Sequence, residues 1–211
     1  MPNVSRGMEN QIDGNLLLGT ALNLYSRYGT RSVTMDDISR ELGMSKKTIY
    51  QLVKDKHDLV TRVVEYETSL SDQMMDRFRK SGINAIDQLI EVNSLIHTAR
   101  TKHSPTFYYD LKKYHSKIFS VWIRNKRNRM YTLLIQNMIK GKEERLYRED
   151  LDHHIIARLY MARMEMFNST DVLEDNELKS LDFFREILIY HIHGICNSRG
   201  LEYFSLNKEQ L

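Results

Sequence analysis

The side chains best suited to bind a ligand are clustered within seven residues of this chain. Residues 45–51 read Ser-Lys-Lys-Thr-Ile-Tyr-Gln and supply hydroxyl, ammonium and amide donors. Lysines and helix N-termini bind phosphate, whereas hydroxyl and amide groups also pair with base edges. The cluster therefore indicates hydrogen bonding to a nucleic acid rather than bond-breaking chemistry.

These donors are expected on the outer face of a short helix. Ile49 and Val53 lie four residues apart and face inward, which leaves the polar residues largely outward. A short helix that presents donors near its N-terminus fits the major groove of DNA, which is about 12 Å wide. The spacing thus predicts a helix that reads double-stranded DNA.

The residues before this helix predict the element that supports it. Thr34 has N-cap chemistry, and Asp37 places an acid three residues later, where the helix dipole favours it. Gly43 fits the position where a chain leaves a helix with positive φ, and Ser45 can cap the next helix. Residues 34–59 therefore predict a helix, a tight turn, a second short helix and the start of a third. The inner face of the first of these helices consists of Met35, Ile38 and Leu42.

Residues 45–59 also follow the pattern S-x-x-T-I-Y-x-x-V-K-x-K-x-D-L. With the helix before it, this stretch resembles the DNA-binding domain of the tetracycline-repressor (TetR) family, over roughly residues 10–62. One departure is Val53, where most family members carry Phe, but it keeps an apolar plug. The residues that carry the resemblance are Ala21, Gly29, Thr34, Ile38, Leu42, Gly43, Ser45, Thr48, Ile49, Tyr50, Lys54, Lys56, Asp58 and Leu59.

The resemblance implies an all-α protein with two domains. Residues 1–56 would form a three-helix, helix-turn-helix DNA-binding domain, and residues 57–211 a helical effector-binding and dimerisation domain. The residues expected to contact operator DNA are Thr34, Ser45, Lys46, Lys47, Thr48, Tyr50, Gln51 and Lys56. Instead of contacting DNA, Lys46 and Lys47 could be solvated lysines, and Tyr50 could be a packing residue.

Composition limits the class of protein. The 211 residues are 41% hydrophobic, with only 2 Pro and 9 Gly, which favours long helices. A single cysteine, Cys196, is consistent with a reducing compartment. We find neither a signal-peptide pattern nor an apolar run of membrane-spanning length, and we expect a cytoplasmic protein.

The formal net charge of +3 is unevenly distributed. Residues 102–142 hold 10 basic and 1 acidic residue, so this segment alone carries +9. Its densest part is Arg124–Arg129, which reads Arg-Asn-Lys-Arg-Asn-Arg. This run is a solvated helix face, a second nucleic-acid contact or a site for an acidic effector.

Periodicity predicts further helices at about residues 11–28, 56–80, 83–100, 107–118, 152–168 and 176–199. One more helix, which contains the basic run, is predicted to end at Gly141. The inner face of the first consists of Leu17, Ala21, Leu24, Tyr25 and Tyr28. The last helix has one apolar stripe, comprising Leu181, Phe184, Leu188, Ile192 and Ile195. A second stripe beside it predicts a two-fold interface through the last two helices of a homodimer. This second stripe consists of Phe183, Ile187, Tyr190 and Gly194.

An effector pocket is the final expectation, although the same residues also suit an ordinary core. The candidates are Tyr66, Phe78, Trp122, Met138, Tyr160, Met164 and Phe167. We find no Gly-rich phosphate loop, nucleophile elbow or metal-ligand spacing, so we expect no catalytic residues, metal or cofactor. The sequence thus favours a dimeric repressor released from operator DNA by a small molecule. The alternatives are a DNA-binding protein without an effector and a helical scaffold whose helix-turn-helix (the reader) is vestigial.

Overall fold

The computed structural model describes residues 4–80, 82–102, 104–166 and 180–207, and within these ranges all regular elements are helices. The predicted all-α class is confirmed. Among the described helices, none combines the length and the hydropathy of a transmembrane span. The helices are α1 (Val4–Tyr28), α2 (Met35–Leu42), α3 (Lys46–Leu52), α4 (Lys56–Lys80), α5 (Ala85–Lys102), α6 (Pro105–Tyr114), α7 (Ser116–Glu143), α8 (His153–Met166), α9 (Leu181–Ile195) and α10 (Ser198–Asn207).

The chain divides into two compact units. The first unit comprises residues 1–76 and 102–124, and the second comprises residues 77–101 and 125–211. This is a division by packing. The predicted boundary after residue 56, between a DNA-binding and an effector-binding domain, concerns function and stays a prediction.

The first unit has a core to which α1 contributes a regularly spaced face. Leu17, Ala21 and Tyr25 are buried four residues apart, as the helical period predicts. The predicted inner position of Tyr28 is wrong, because α1 ends there and the ring lies exposed beyond the core. The core is completed by Ile38, Ile49, Val53, Leu59, Val63, Phe107, Leu111 and Trp122.

The second unit has its own core, built mainly from α5, α7, α8 and α9. The inward stripe of α9 is confirmed at four of its five positions, and Leu181 is exposed because it opens the helix. The core of this unit includes Ile86, Leu89, Leu134, Met138, Tyr147, Tyr160, Phe184, Leu188, Ile192 and Ile195.

The predicted single helix over residues 176–199 is wrong at its C-terminal end. Cys196 leaves α9 in an extended conformation and pairs with Tyr147 in an isolated β-bridge. The Asn197 side-chain oxygen then accepts the Gly200 N–H at 3.0 Å, and its amide donates to the carbonyl of Arg145 at 3.0 Å. Asn197 therefore caps the start of a new helix, α10, and also joins that start to the turn at Arg145.

Gly141 does not close its helix as predicted. Helix α7 continues to Glu143, and the chain turns away at Arg145, whose φ is +56°. Gly141 is needed for another reason, since a Cβ atom there would lie 2.1 Å from Cδ2 of the buried Tyr147. The missing side chain thus lets an aromatic ring pack directly on the helix backbone.

Candidate nucleic-acid interface

Helix α2 starts with a complete capping box. The Thr34 hydroxyl accepts the Asp37 N–H at 3.2 Å, and the Asp37 carboxylate accepts the Thr34 N–H at 2.9 Å. The Thr34 hydroxyl donates a hydrogen bond to the same carboxylate at 2.6 Å, and this bond is the main reason why the pKa of Asp37 is lowered. The start of α2 is therefore fixed, and the Thr34 hydroxyl is already engaged.

The turn between α2 and α3 depends on Gly43, whose φ is +62°. Its N–H donates to the Arg40 carbonyl at 3.2 Å, and the Met44 N–H donates to the Ser39 carbonyl at 3.1 Å. No atom lies within 4 Å of a Cβ built on Gly43. Backbone conformation, and not space, is therefore the reason for glycine here.

Helix α3 is capped by Ser45, whose hydroxyl oxygen accepts the Thr48 N–H at 3.1 Å. The Ser45 and Thr48 hydroxyls lie 2.9 Å apart and hydrogen-bond to each other. Ile49 and Val53 are buried, as their spacing predicts. Lys47, Tyr50 and Gln51 are exposed on the opposite face, with Tyr50 47% accessible.

Lys46 is also exposed, but it is paired. Its ammonium lies 2.6 Å from the Asp36 carboxylate, and this hydrogen bond raises the pKa of Lys46. The pair joins α2 to α3 across the turn. Sequence reasoning missed Asp36, although it is one of two adjacent acids in the first turn of α2.

Lys56 occupies a more enclosed position than the other basic residues predicted to bind DNA. Its ammonium donates to the Arg31 carbonyl at 3.2 Å, and burial lowers its pKa. The Arg31 N–H in turn donates to the buried Asp110 carboxylate at 2.8 Å, and its guanidinium donates to the Tyr114 hydroxyl at 2.6 Å. Lys56 therefore fixes the loop that leads into α2.

Arg31 and Asp110 were absent from the predicted site. One signal could have found Asp110, namely that it is the sole acidic residue within the basic segment 102–142. A buried carboxylate in such a segment needs dedicated donors. Among the described residues, those donors include the backbone of the loop before α2.

The residues predicted for an effector pocket are divided between the two units. Tyr66 and Trp122 pack in the first unit, whereas Met138, Tyr160 and Met164 pack in the second. The Phe78 side chain and Phe167 lie outside the described part of the chain. Their joint role in a pocket therefore stays a prediction.

The second unit contains a cleft of about 290 Å³ between α5 and α7. None of the predicted pocket residues lines it, because sequence reasoning looked for large apolar side chains. Asn137 forms part of its wall and is fixed by hydrogen bonds to the Ala85 carbonyl at 2.8 Å and from the Tyr147 hydroxyl at 3.0 Å. The lining residues are Gln88, Leu89, Val92, Leu133, Leu134, Gln136, Asn137 and Lys140.

The outer face of α9 is apolar and exposed in the single chain. Tyr190 is 82% accessible, and nothing lies within 4 Å of a Cβ built on Gly194. Phe183 and Ile187 are half-buried beside them. Helix α8 also carries two exposed aliphatic residues, Ile155 and Leu159.

The basic run on α7 is only partly free. Arg127 pairs with Glu165 of α8 at 3.1 Å, while Arg124 is exposed. Lys126 and Arg129 are half-buried and engaged in interactions of their own. Within the described ranges, no three acidic, histidine or cysteine side chains are grouped to hold a metal ion.

The comparisons with known proteins agree with this geometry. The family described as "Bacterial regulatory proteins, tetR family" matches residues 17–63, which span the end of α1 through the start of α4. No curated protein matches this chain in sequence.

Several solved structures share the fold. A protein from Saccharomonospora viridis, solved in complex with choline, is 21% identical over 89% of this chain and 99% of its own, with a TM-score of 0.69. A transcriptional regulator from Cytophaga hutchinsonii is 16% identical over 86% of this chain and 97% of its own, with a TM-score of 0.71. A TetR-family regulator from Agrobacterium tumefaciens is 17% identical over 89% of this chain and 100% of its own, with a TM-score of 0.65.

At these identities the structures establish a shared fold, while the match over residues 17–63 identifies the helix-turn-helix segment. The family match covers the helix-turn-helix, and the structural likeness extends over 86–89% of the chain. Residues 17–63 therefore match the DNA-binding segment of bacterial regulatory proteins of the tetR family, and the chain shares the fold of these three solved structures.

Proposed function

We propose that the protein is a homodimeric repressor that binds operator DNA through α3 and is released by a small-molecule effector bound in the second unit. The observation that supports it best is the exposed face of α3. A capped helix presents Lys47, Tyr50 and Gln51 to solvent while Ile49 anchors it to the core. We place the protein in the cytoplasm, together with its DNA.

The predicted contacts differ in how freely they can reach DNA. Lys47, Tyr50 and Gln51 need no rearrangement. Lys46 must exchange its Asp36 partner for phosphate, and an exposed ion pair of this kind contributes little stability. Thr34, Ser45 and Thr48 have engaged hydroxyls, but each lies at a helix start, where backbone N–H groups favour anions.

Lys56 has a different expected role. Its ammonium is bound to the Arg31 carbonyl, so its replacement would disturb the loop before α2 as well as any phosphate contact. A Lys56→Ala variant would therefore mix two effects. Lys47 and Tyr50 give cleaner tests of DNA contact.

The proposed dimer uses α8 and α9. Tyr190 and its neighbours form an apolar face that one chain alone leaves in water, and a matching face from a second copy would cover it. Gly194 would allow the two α9 helices to approach closely. A two-fold pair would place the two α3 helices about 34 Å apart, or one DNA turn, for adjacent half-sites.

The cleft between α5 and α7 is one candidate place for an effector. Its wall combines leucine and valine with the amides of Gln88, Gln136 and Asn137, which suits a ligand with an apolar body and a polar group. Among the described residues, no aromatic side chain lines the cleft, whereas the cationic side chain of Lys140 does. A quaternary ammonium ligand, which aromatic faces recognise, is therefore not expected in this cleft.

Fluorescence anisotropy with a duplex from upstream of the protein's own gene tests the DNA-binding step. Wild type, Lys47→Ala and Tyr50→Phe are compared across a salt series. Loss of a contact between the Lys47 ammonium and a phosphate should reduce the slope of log affinity against log salt by about 0.9. Tyr50→Phe removes an uncharged hydroxyl and should lower affinity with the slope unchanged. The matched control is Lys117→Ala, which removes an exposed lysine of α7 and should leave both affinity and slope unchanged.

The remaining outcomes separate the alternatives. Tight binding that no metabolite extract reverses would favour a regulator without an effector. No preference over random DNA, even after selection from genomic fragments, would contradict the proposal and favour the vestigial reader. A monomer in sedimentation equilibrium at the binding concentration would contradict the dimer.

A further inference from the structure

Arg163 of α8 carries a largely buried guanidinium whose hydrogen-bonding capacity is mostly unused. One terminal nitrogen, Nη1, donates to the Ile187 carbonyl of α9 at 3.0 Å. The other two nitrogens, Nε and Nη2, are shielded from solvent and have no hydrogen-bond partner among the described residues. No carboxylate in the described ranges pairs with Arg163.

The two unused nitrogens form one edge of the guanidinium. On this edge the Nε–H and one Nη2–H bond are parallel, with the spacing of the two oxygens of a carboxylate. A buried edge of this kind has a definite chemical preference. It favours a planar, bidentate anion over a single neutral acceptor.

Tyr160, one turn earlier on α8, packs its ring against the guanidinium. The guanidinium carbon is 4.2 Å from the centre of its ring, so the ring face stabilises the cation. The buried Tyr160 hydroxyl lies close enough to Arg163 for the two groups to shift each other's pKa. By distance and angle, however, the hydroxyl has no hydrogen-bond partner among the described residues. Burial raises the pKa of this hydroxyl, so it remains a proton donor.

No neighbouring described group supplies the missing negative charge. The His191 ring packs edge-on against Tyr160 at 4.9 Å, and burial is the first cause of its lowered pKa. His191 is therefore neutral near pH 7 and adds neither a second cation nor an anion. A buried cation with an unpaired edge is costly, and one compensating anion would relieve that cost.

We propose that the Nε–Nη2 edge of Arg163 and the Tyr160 hydroxyl together bind a carboxylate group of the effector. Two parallel N–H donors and one O–H donor would satisfy the anion. This inference rests on the proposed function only in calling the ligand an effector, because the binding site itself is independent of DNA. Arg163 does not line the cleft between α5 and α7, so the carboxylate is assigned to a different group of residues.

The position of Arg163 offers a route for the signal. Its third nitrogen is bound to the carbonyl of Ile187, whose side chain belongs to the stripe proposed for the dimer interface. A carboxylate bound to the Nε–Nη2 edge would shift the same guanidinium. Ligand binding would therefore alter the hydrogen bond from Nη1 to the Ile187 carbonyl of α9.

The test measures carboxylate binding to the full-length protein without DNA. Thermal unfolding and titration calorimetry are recorded with sodium acetate, butyrate, octanoate and benzoate, at ionic strength held constant with chloride. Acetamide, butyramide, octanamide and benzamide serve as uncharged matches. At least one acid should raise the melting temperature and bind, whereas its amide should not.

Four variants assign that binding to residues. Arg163→Gln should weaken it roughly 100-fold, and Tyr160→Phe about 10-fold, as expected for hydrogen bonds to a charged group. Arg158→Gln removes an exposed arginine of the same helix and should change nothing. Arg163→Met should raise the melting temperature of the free protein, because it replaces an unpaired buried cation by an apolar side chain.

Two results would overturn the inference. The first is that none of the four acids binds wild type. The second is that Arg163→Met lowers the melting temperature of the free protein, which would mean that Arg163 already holds a structural partner. Operator binding, measured separately, distinguishes the two proposals. If the protein binds its operator but none of the acids, only the repressor proposal stands. If it binds an acid but no operator, only the carboxylate site stands.

Discussion

His191 should make the stability of this protein depend on pH well above the range where carboxylates titrate. Its ring packs against Tyr160 inside the second unit, and burial together with the nearby charge of Arg163 lowers its pKa to about 3. In the unfolded chain the same imidazole has its ordinary pKa of 6.5. Folding therefore opposes protonation of His191.

The sign and size of the effect follow from this difference. Below pH 6.5 the unfolded chain binds the proton more readily, so stability is fully present above that pH and is lost as pH falls toward 3. Integrating the linkage relation with these two pKa values gives a loss of about 2 kcal/mol between about pH 7 and about pH 5. A folded pKa one unit higher changes this figure little, because both values lie below the range of the measurement.

Urea unfolding followed by far-UV circular dichroism, at one protein concentration and both pH values, measures the loss directly. His191→Asn should remove about 2 kcal/mol of the difference between the two pH values, whatever it does to stability at neutral pH. His193→Asn, an exposed histidine on the same helix, is the matched control and should retain the wild-type loss. If His191→Asn loses as much stability as wild type, the imidazole is not buried as argued, and the neutral environment assigned to Arg163 is also wrong.

The other predictions concern close packing and charge. Gly141→Ala places a Cβ against the Tyr147 ring and should cost roughly 1–3 kcal/mol in urea unfolding, whereas Gly14→Ala, which meets no atom within 4 Å, should not destabilise. A Gly141→Ala variant as stable as wild type would contradict the close approach. Asp36→Asn frees the Lys46 ammonium and should raise DNA affinity several-fold, with a salt slope steeper by up to about 0.9, in the same anisotropy assay. Unchanged affinity would mean that Lys46 does not face phosphate.

The helix-turn-helix was predictable because its signals are local. Capping by Thr34 and Ser45, the positive φ of Gly43 and the inward spacing of Ile49 and Val53 each depend on residues fewer than five positions apart. Short-range hydrogen bonds and helical periodicity are properties that a sequence displays directly. The same reasoning predicted the inner face of α9.

What the sequence did not reveal depends on contacts that helical spacing does not encode. Gly141 looked like a helix end because no local sequence pattern indicates that the Tyr147 ring packs against it. Asn197 looked like part of a long helix because the carbonyls that accept its amide, those of Arg145 and Tyr147, lie 52 and 50 residues earlier in the chain. Arg163 was passed over because a basic residue on a helix is usually solvated, and only tertiary packing shows that its edge is buried.

The contacts around Arg31 explain why the helix-turn-helix and α6 belong to one compact unit. Gly29, at φ +82°, brings the chain so close to Asp110 that a Cβ would lie 2.5 Å from the carboxylate. That carboxylate accepts the Arg31 N–H, and the Arg31 carbonyl accepts the Lys56 ammonium, so three segments meet at one peptide. Because this loop leads directly into the capping box of Thr34, the orientation of α2 depends on α6 as well as on α4. The packed unit therefore extends on both sides of residue 56, and any displacement of α6 must be absorbed by the loop that precedes α2.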